Sequence, residues 1–225
     1  MRVYCLCFLS TFIFFQSVFA QTDPPNPDIT SMSGLQNYRT GRDLEGRNRM
    51  DEAMEYYNRA VQICIDEISR NLATRDTYAV FTWALQRQKK YTDVITWGQR
   101  GLQLYPNDYR VMETMGEAYF YLDQYDRSLV SMQRYVNAFP QGDRASVAYF
   151  FIGEIFRIQE KFYHADIAYT AAVQLERNIP LWWYRLGTVR ETLGDFTTAI
   201  QAYEQALRLN PEYREAQAGL ARSRR

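Results

Sequence analysis

Few residues in this chain are of the types that carry out chemistry. The 225 residues include one histidine, His164, and three cysteines, Cys5, Cys7 and Cys64. His164 lies near the start of a predicted helix beside Asp166, and neither a second histidine nor a cysteine completes a metal site or a nucleophile with it. The sequence has no glycine-rich phosphate loop and no HExxH or GxSxG motif. We therefore predict a protein that is not an enzyme and that holds no cofactor or metal.

A group of acidic residues is the other feature that could bind an ion. Glu113 and Glu117 lie one helical turn apart, and Glu154 occupies a similar place further along the chain. Such a group can hold a cation, but opposite charges on solvated helix faces are far more common. We favour a ladder of surface charges in which Arg110 and Arg157 pair with these acids.

Small and aromatic residues recur at a fixed step, and this repetition indicates the elements that position the other residues. Gly187 and Ala199 are preceded 34 residues earlier by Gly153 and Ala165, and Gly116 continues the series. The aromatic residues that mark one place in four successive units are Tyr91, Tyr125, Phe162 and Phe196. Because two helices approach closely only where side chains are small, the repeated unit is a helical hairpin.

The last unit resembles the tetratricopeptide (TPR) signature through Trp183, Leu186, Gly187, Ala199, Tyr203, Ala206 and Pro211. The resemblance covers residues 34–211 and is most specific in the last three units. It implies an all-α fold, a right-handed superhelical solenoid of antiparallel helix pairs with about five repeats and a C-terminal capping helix. The predicted units are 34–74, 75–108, 109–145, 146–179 and 180–211, and the predicted capping helix is 212–225.

Two steps in the series are longer than the rest. From Gly41 to Thr82 the step is 41 residues, and the seven added residues are about two helical turns. We therefore predict that the second helix of the first unit is lengthened, with a buried stripe consisting of Val61, Cys64, Ile65, Ile68 and Leu72. Cys64 on that stripe is interpreted as a small buried hydrophobe. The step between the third and fourth units is 37 residues, and the turn residues 141–143 predict a longer loop there.

The N-terminus predicts export. Arg2 precedes an apolar run that ends in Val18, Phe19 and Ala20, a cleavage pattern typical of a secretory signal peptide over residues 1–20. An uncleaved anchor is the alternative. Residues 21–33 are predicted to form a proline-rich tether. We expect an exported protein of the bacterial periplasm or cell envelope without an integral membrane span after cleavage, and a candidate subunit of an envelope complex. The 26 basic and 26 acidic residues argue against nucleic acid as a partner.

Arrays that resemble this one generally bind a protein or peptide along the groove lined by the first helix of each pair. The resemblance places the following residues in that groove: Tyr38, Arg42, Trp83, Gln86, Arg87, Arg110, Glu113, Glu117, Phe120, Tyr121, Phe150, Glu154, Arg157, Tyr184, Thr188 and Glu191. Phe151 and Trp182 are interpreted as packing residues, whereas Trp83, Phe120 and Phe150 can either pack or bind. The expected function is a non-catalytic scaffold for a protein or peptide segment. The alternative is a carrier of a small hydrophobic or glycan-like ligand that partners an envelope transporter.

Overall fold

The structure is a computed structural model that describes residues 32–225. Within this range the chain is all-α, and it consists of the helices α1 Gly34–Gly46, α2 Met50–Ser69, α3 Arg75–Arg87, α4 Tyr91–Leu104, α5 Tyr109–Tyr121, α6 Tyr125–Ala138, α7 Ala145–Ile158, α8 Phe162–Leu175, α9 Pro180–Thr192, α10 Phe196–Leu209 and α11 Arg214–Ser223. No helix among them is long and apolar enough to cross a membrane. The predicted signal peptide, and residues 21–31 of the predicted tether, lie outside the described residues.

The helices stack as a solenoid of pairs. Each odd-numbered helix up to α9 packs on the even-numbered helix that follows it, and α1, α3, α5 and α7 also contact one another in succession. The odd-numbered helices therefore form one continuous layer, and the even-numbered helices form a second layer. The all-α solenoid predicted from the repeat is confirmed.

Sequence-specific caps set the start of several first helices. Ser33 and Thr74 each accept a hydrogen bond from the backbone three residues later, and the residue at that place bonds back to the cap. Asp108 caps α5 in the same general way, through the backbone N–H of Arg110. These bonds satisfy N–H groups that have no partner inside the helix, so they fix where each unit begins.

The repeated glycine allows the two helices of a pair to touch. A Cβ atom at Gly187 would lie 2.7 Å from the ring of Tyr203, which stands 16 residues later on the second helix of the pair. Gly41 meets Tyr57 and Gly153 meets Tyr169 at the same spacing. The second unit differs, because Thr82 takes the place of the glycine and Gly98 takes the place of the aromatic residue. The space at Gly98 is filled by Met115 on α5, whose sulfur would lie 2.5 Å from an added Cβ atom.

Both irregular steps have the predicted structural cause. α2 has 20 residues, whereas α4, α6, α8 and α10 have 14 each. Cys64 is 1% exposed, and burial raises the pKa of its thiol to about 12, which confirms it as a buried hydrophobe. The predicted stripe was wrong at Ile65, which is 40% exposed, and at Leu72, which is 55% exposed and follows the end of α2 at Ser69. The longer loop between α6 and α7 is confirmed, since α7 begins only at Ala145.

Candidate functional site

The described residues form a groove of about 1260 Å³. It lies along the first helices of the first three units, α1, α3 and α5. The turn after α3 and the loop before α7 complete its walls. Since these helices stand side by side, a molecule lying across the groove would contact three successive units.

Nine of the sixteen predicted groove residues line this space, and seven do not. The nine are Tyr38, Arg42, Trp83, Gln86, Arg87, Arg110, Glu113, Glu117 and Tyr121. The seven predicted residues that lie outside it are Phe120, Phe150, Glu154, Arg157, Tyr184, Thr188 and Glu191. The prediction that the groove runs through all five units is therefore wrong for this cavity, which is confined to the N-terminal part of the array.

Aromatic rings form much of the groove surface. The rings of Tyr38 and Trp83 lie 5.4 Å apart, and the guanidinium of Arg110 lies 5.8 Å from the Trp83 ring. Tyr91 and Tyr121 are stacked with their centroids 4.8 Å apart and an angle of 13° between the planes. Tyr121 is 50% exposed. These rings offer flat apolar surface that is already ordered by packing.

Two of the aromatic residues that were predicted either to bind or to pack, Phe120 and Phe150, make ring contacts between successive units. Phe150 stacks on Trp182 with their centroids 5.1 Å apart, and this contact joins α7 to α9. Phe120 meets Phe151 edge to face at 4.9 Å, between α5 and α7. The packing roles predicted for Phe151 and Trp182 are confirmed, because their exposures are 7% and 6%.

The predicted ladder of surface charges was wrong in two respects: Glu113 and Glu117 are largely buried, and their partner is not Arg110. The Glu113 and Glu117 side chains are 4% and 13% exposed, and both pair with Arg144 rather than with Arg110. The Nε atom of Arg144 donates to Glu113 at 3.1 Å, and its Nη2 atom donates to Glu117. Arg110 instead pairs with Asp108 and Asp76 at 2.8 Å each.

The remaining predicted acids also hold successive units together. Glu154 pairs with Arg157, as predicted, and with Arg185 of the next unit at 2.9 Å. Glu191 pairs with Arg222 at 2.7 Å. Glu113 and Arg144 are separated by 31 residues, as are Glu191 and Arg222, and Glu154 and Arg185 have the same separation. These acids therefore bind arginines of their own chain.

Two of these carboxylates also accept a hydrogen bond from a tyrosine hydroxyl. Tyr169 donates to Glu154 at 2.5 Å, and Tyr203 donates to Glu191 at 2.6 Å. Burial, together with the neighbouring carboxylate, raises the pKa of both hydroxyls. These are the tyrosines that pack against Gly153 and Gly187. In each case the ring packs between the two helices of a pair, and its hydroxyl group donates to the carboxylate.

Glu113 has the most perturbed environment in the groove. Burial and the neighbouring charge of Glu117 raise the pKa of Glu113 well above its usual range, and Arg144 opposes this shift. Arg144 immediately precedes α7, at the end of the loop that the three additional residues lengthen. Its backbone N–H donates to the hydroxyl of Tyr135 at 3.2 Å. The longer loop thus carries the cation that compensates two buried carboxylates.

A second network fixes the opposite part of the groove. The Asp108 side chain is 2% exposed and binds both Arg75 and Arg110. Burial raises the pKa of Asp108, but the hydrogen bonds from Arg110 and Arg75 outweigh burial and hold that pKa below its usual value. Arg42 differs from these arginines. It donates to the hydroxyl of Tyr38 at 3.3 Å, and no ion pair involves it among the described residues.

Several groove residues were missed by sequence reasoning. They are Glu45, Met50, Met54, Arg75, Asp76, Gln88, Lys89, Tyr91, Asp108, Tyr109, Thr114, Tyr135, Phe139, Gly142, Asp143 and Arg144. Many lie in turns or at helix ends, outside the helical positions that the resemblance supplies. The separation of 31 residues between an acid and an arginine was a usable signal for Arg144, because it recurs in later units.

Comparisons with known proteins agree with this fold. Residues 111–142 and 180–213 each match a family model described as the tetratricopeptide repeat. A human relative, protein O-mannosyl-transferase TMTC1, is 23% identical over 196 residues, which are 87% of this chain and 21% of that protein. The chain thus spans about a fifth of the length of that relative.

Two solved structures have a similar fold. A thermophilic TPR protein of Thermus thermophilus is 15% identical, with a TM-score of 0.62 over 85% of this chain and 98% of that one. YrrB, described as a TPR protein with an unusual peptide-binding site, is 14% identical, with a TM-score of 0.56 over 83% of this chain and 91% of that one. The chain therefore carries tetratricopeptide repeats within an all-helical solenoid.

Proposed function

We propose that this chain is a non-catalytic scaffold that binds an extended segment of another protein in the groove along α1, α3 and α5. The observation that carries the proposal is the size of the groove and its lining by three successive units. Small-molecule sites usually enclose about 300–1,000 Å³. At about 1260 Å³ the groove exceeds that range, which favours a polypeptide over the small hydrophobic or glycan-like ligand of the alternative.

The lining of the groove suits a polypeptide chemically. Stacked tyrosines and arginines are residue types that concentrate binding energy at protein interfaces. The exposed guanidinium of Arg42 is able to donate hydrogen bonds to the carbonyl groups of a peptide backbone. YrrB, which has a similar fold, is described by its peptide-binding site.

Selection of peptides from a random display library on the immobilised chain tests this function. Tyr121→Ala combined with Arg42→Ala removes an exposed ring and the arginine without an ion pair, and neither residue is fully buried. We expect selected peptides to lose at least about 30-fold in affinity, because hot-spot truncations cost about 2 kcal/mol or more. Phe196→Ala is the matched control, since Phe196 is 51% exposed and lies outside the groove. Equal binding to all three proteins would contradict the proposed site.

We also propose that the protein acts outside the cytoplasm, in the bacterial periplasm or cell envelope. The support is the apolar run that ends in Val18, Phe19 and Ala20. Mass spectrometry of the protein recovered from its native host should give a chain that begins at or near Gln21. A dominant species that retains residues 1–20 would instead indicate an anchored protein.

A further inference from the structure

The outer face of α8 carries an apolar stripe that the groove does not use. Tyr163, Ile167, Ala171 and Leu175 follow one another at a spacing of four residues, so they lie along one side of the helix. Tyr163 is 74% exposed, Ile167 69% and Leu175 42%, and Ala171 is partly exposed. α8 contributes no residue to the groove.

α8 has more apolar residues along this side than the equivalent second helices. At the places of Tyr163 and Ile167 those helices have Thr92 and Thr96 in α4, Asp126 and Val130 in α6, and Thr197 and Gln201 in α10. At the place of Ala171 they have Arg100, Arg134 and Gln205, whereas the place of Leu175 is apolar in these helices too, with Leu104, Ala138 and Leu209. The repeat therefore does not require apolar residues at the first three places, and burial within the chain does not explain them, because Tyr163 and Ile167 are exposed and Ala171 is partly exposed. Exposed apolar residues that form a continuous surface indicate an interaction site.

The charges at the two ends of α8 indicate what covers this stripe. Glu160 and Lys161 precede the helix, and Glu176 and Arg177 follow it. When a second α8 is laid antiparallel on the first, Glu160 meets Arg177 of the other copy and Lys161 meets Glu176 of the other copy. Both pairs have opposite charges and share one two-fold axis near the middle of the helix. A parallel arrangement would instead place like charges together.

None of these end residues has a partner of opposite charge among residues 32–225, although the Glu176 carboxylate accepts a hydrogen bond from the backbone N–H of Asn178 at 3.1 Å. No ion pair involves Glu160 or Arg177 among residues 32–225, and both are exposed. Lys161 donates to the side chain of Gln159 at 3.0 Å and has no carboxylate partner there. Near the proposed axis the stripe has Ile167 and the small residue Ala171, so that two helices can approach closely.

We propose that two copies of this chain associate through antiparallel packing of their α8 helices, with Ile167 at the centre and the two sets of charges at the ends. A two-fold contact of this kind buries the same stripe on both copies. The grooves of both copies stay free, so the dimer presents two binding grooves. This inference does not depend on the proposed function of the groove.

Zero-length carbodiimide cross-linking tests the geometry directly. Lys161 and Glu176 of one copy stand at opposite ends of α8, about 22 Å apart along the axis at 1.5 Å per residue, so they cannot be joined within one chain. A mixture of isotope-labelled and unlabelled protein should therefore give a Lys161 to Glu176 cross-link between the two labels. The readout is simple because the chain has just two other lysines, Lys89 and Lys90. Cross-links from Lys161 to Asp23 or Asp28 would place the chain's own N-terminal segment on the stripe and overturn the proposal.

Sedimentation equilibrium of matched variants gives an independent test. Ile167→Arg should weaken dimerisation at least about 100-fold, because both copies place this residue at the centre of the contact. Leu104→Arg on α4, where Leu104 is 60% exposed, is the control and should leave dimerisation unchanged. A wild-type chain that is monomeric at every concentration, or a dimer insensitive to Ile167→Arg, would overturn the proposal.

Charge reversal then tests the antiparallel direction. Glu160→Arg should weaken the dimer about tenfold, because it faces Arg177 of the other copy with a like charge. Adding Arg177→Glu in the same chain restores opposite charges at both ends, and it should restore the wild-type dissociation constant. If the double variant is weaker than the single variant, the helices do not pack in this direction and the proposal fails.

Discussion

Replacing Arg144 by methionine removes the positive charge that compensates two buried carboxylates of the groove. Arg144 bonds to Glu113 and Glu117, whose side chains are 4% and 13% exposed. Removing one partner of a buried ion pair costs about 3–5 kcal/mol, because the other charge stays buried without compensation. The Arg144 side chain is itself 43% exposed, so water weakens the pair, and we expect a loss of about 2–3 kcal/mol at pH 8.

The loss should depend on pH, with a sign that follows from Glu113. Burial and Glu117 raise the pKa of Glu113 above its value in the unfolded chain. The free energy of unfolding therefore falls as pH rises from the pKa of Glu113 in the unfolded chain to its higher pKa in the folded chain. Below the unfolded pKa, Glu113 is protonated in both states and costs no stability. Arg144 lowers this pKa, so in Arg144→Met the penalty grows and extends to higher pH. The variant should approach wild-type stability in mild acid and fall furthest below it in base.

Thermal unfolding followed by circular dichroism from pH 5 to pH 8 measures this effect. A loss of about 2–3 kcal/mol lowers the midpoint by roughly 5–10 °C in a chain of this size. Arg134→Met is the matched control, because Arg134 is exposed on α6 and no ion pair involves it among the described residues. A difference between Arg144→Met and wild type that is the same at every pH would refute the role assigned to Glu113.

Two further substitutions test the packing. Gly187→Ala should lower stability by about 1–3 kcal/mol, because its Cβ would lie 2.7 Å from the Tyr203 ring. Gly46→Ala is the control and should not lower it, since no atom lies within 4 Å of the added Cβ. Equal midpoints for the two variants in thermal unfolding would show that the helices can separate at no cost. Phe150→Ala should lower the midpoint of thermal unfolding while selected peptides keep their affinity, because Phe150 stacks on Trp182 outside the groove. A variant that unfolds at the wild-type midpoint but no longer binds peptide would show that Phe150 belongs to the binding surface.

The helical pairs were predictable from the sequence, because their cause is local and repeated. The contact of Gly187 with Tyr203 recurs at Gly153 and Gly41 with the same separation, so the spacing alone identifies which helices touch. The loop before α7 was predictable for the same reason, as a departure from the step. Its consequence was not, because only the folded chain shows that the loop brings Arg144 to Glu113 and Glu117.

The extent of the groove could not be derived from the repeat. Glu113 on α5 and Phe150 on α7 both stand three residues before the repeated glycine, yet Glu113 lines the groove and Phe150 stacks on Trp182. The difference arises from the neighbouring unit, because Trp182 of α9 offers Phe150 a ring to pack against. A position in a repeat predicts the direction of a side chain, whereas the residue types of the next repeat decide whether that side chain is covered.

The acids illustrate the same point and bear on what the groove can recognise. Glu113, Glu117, Glu154 and Glu191 were predicted to face a ligand, and each is bound by an arginine of its own chain. Since breaking such a pair leaves a buried charge uncompensated, these carboxylates are poor sites for a cationic ligand. Recognition in the proposed groove therefore falls to groups that no ion pair holds among the described residues: the stacked rings of Tyr91 and Tyr121, and the exposed guanidinium of Arg42, which donates to the hydroxyl of Tyr38. A segment that presents apolar side chains and backbone hydrogen-bonding groups suits these residues better than one that depends on its positive charge.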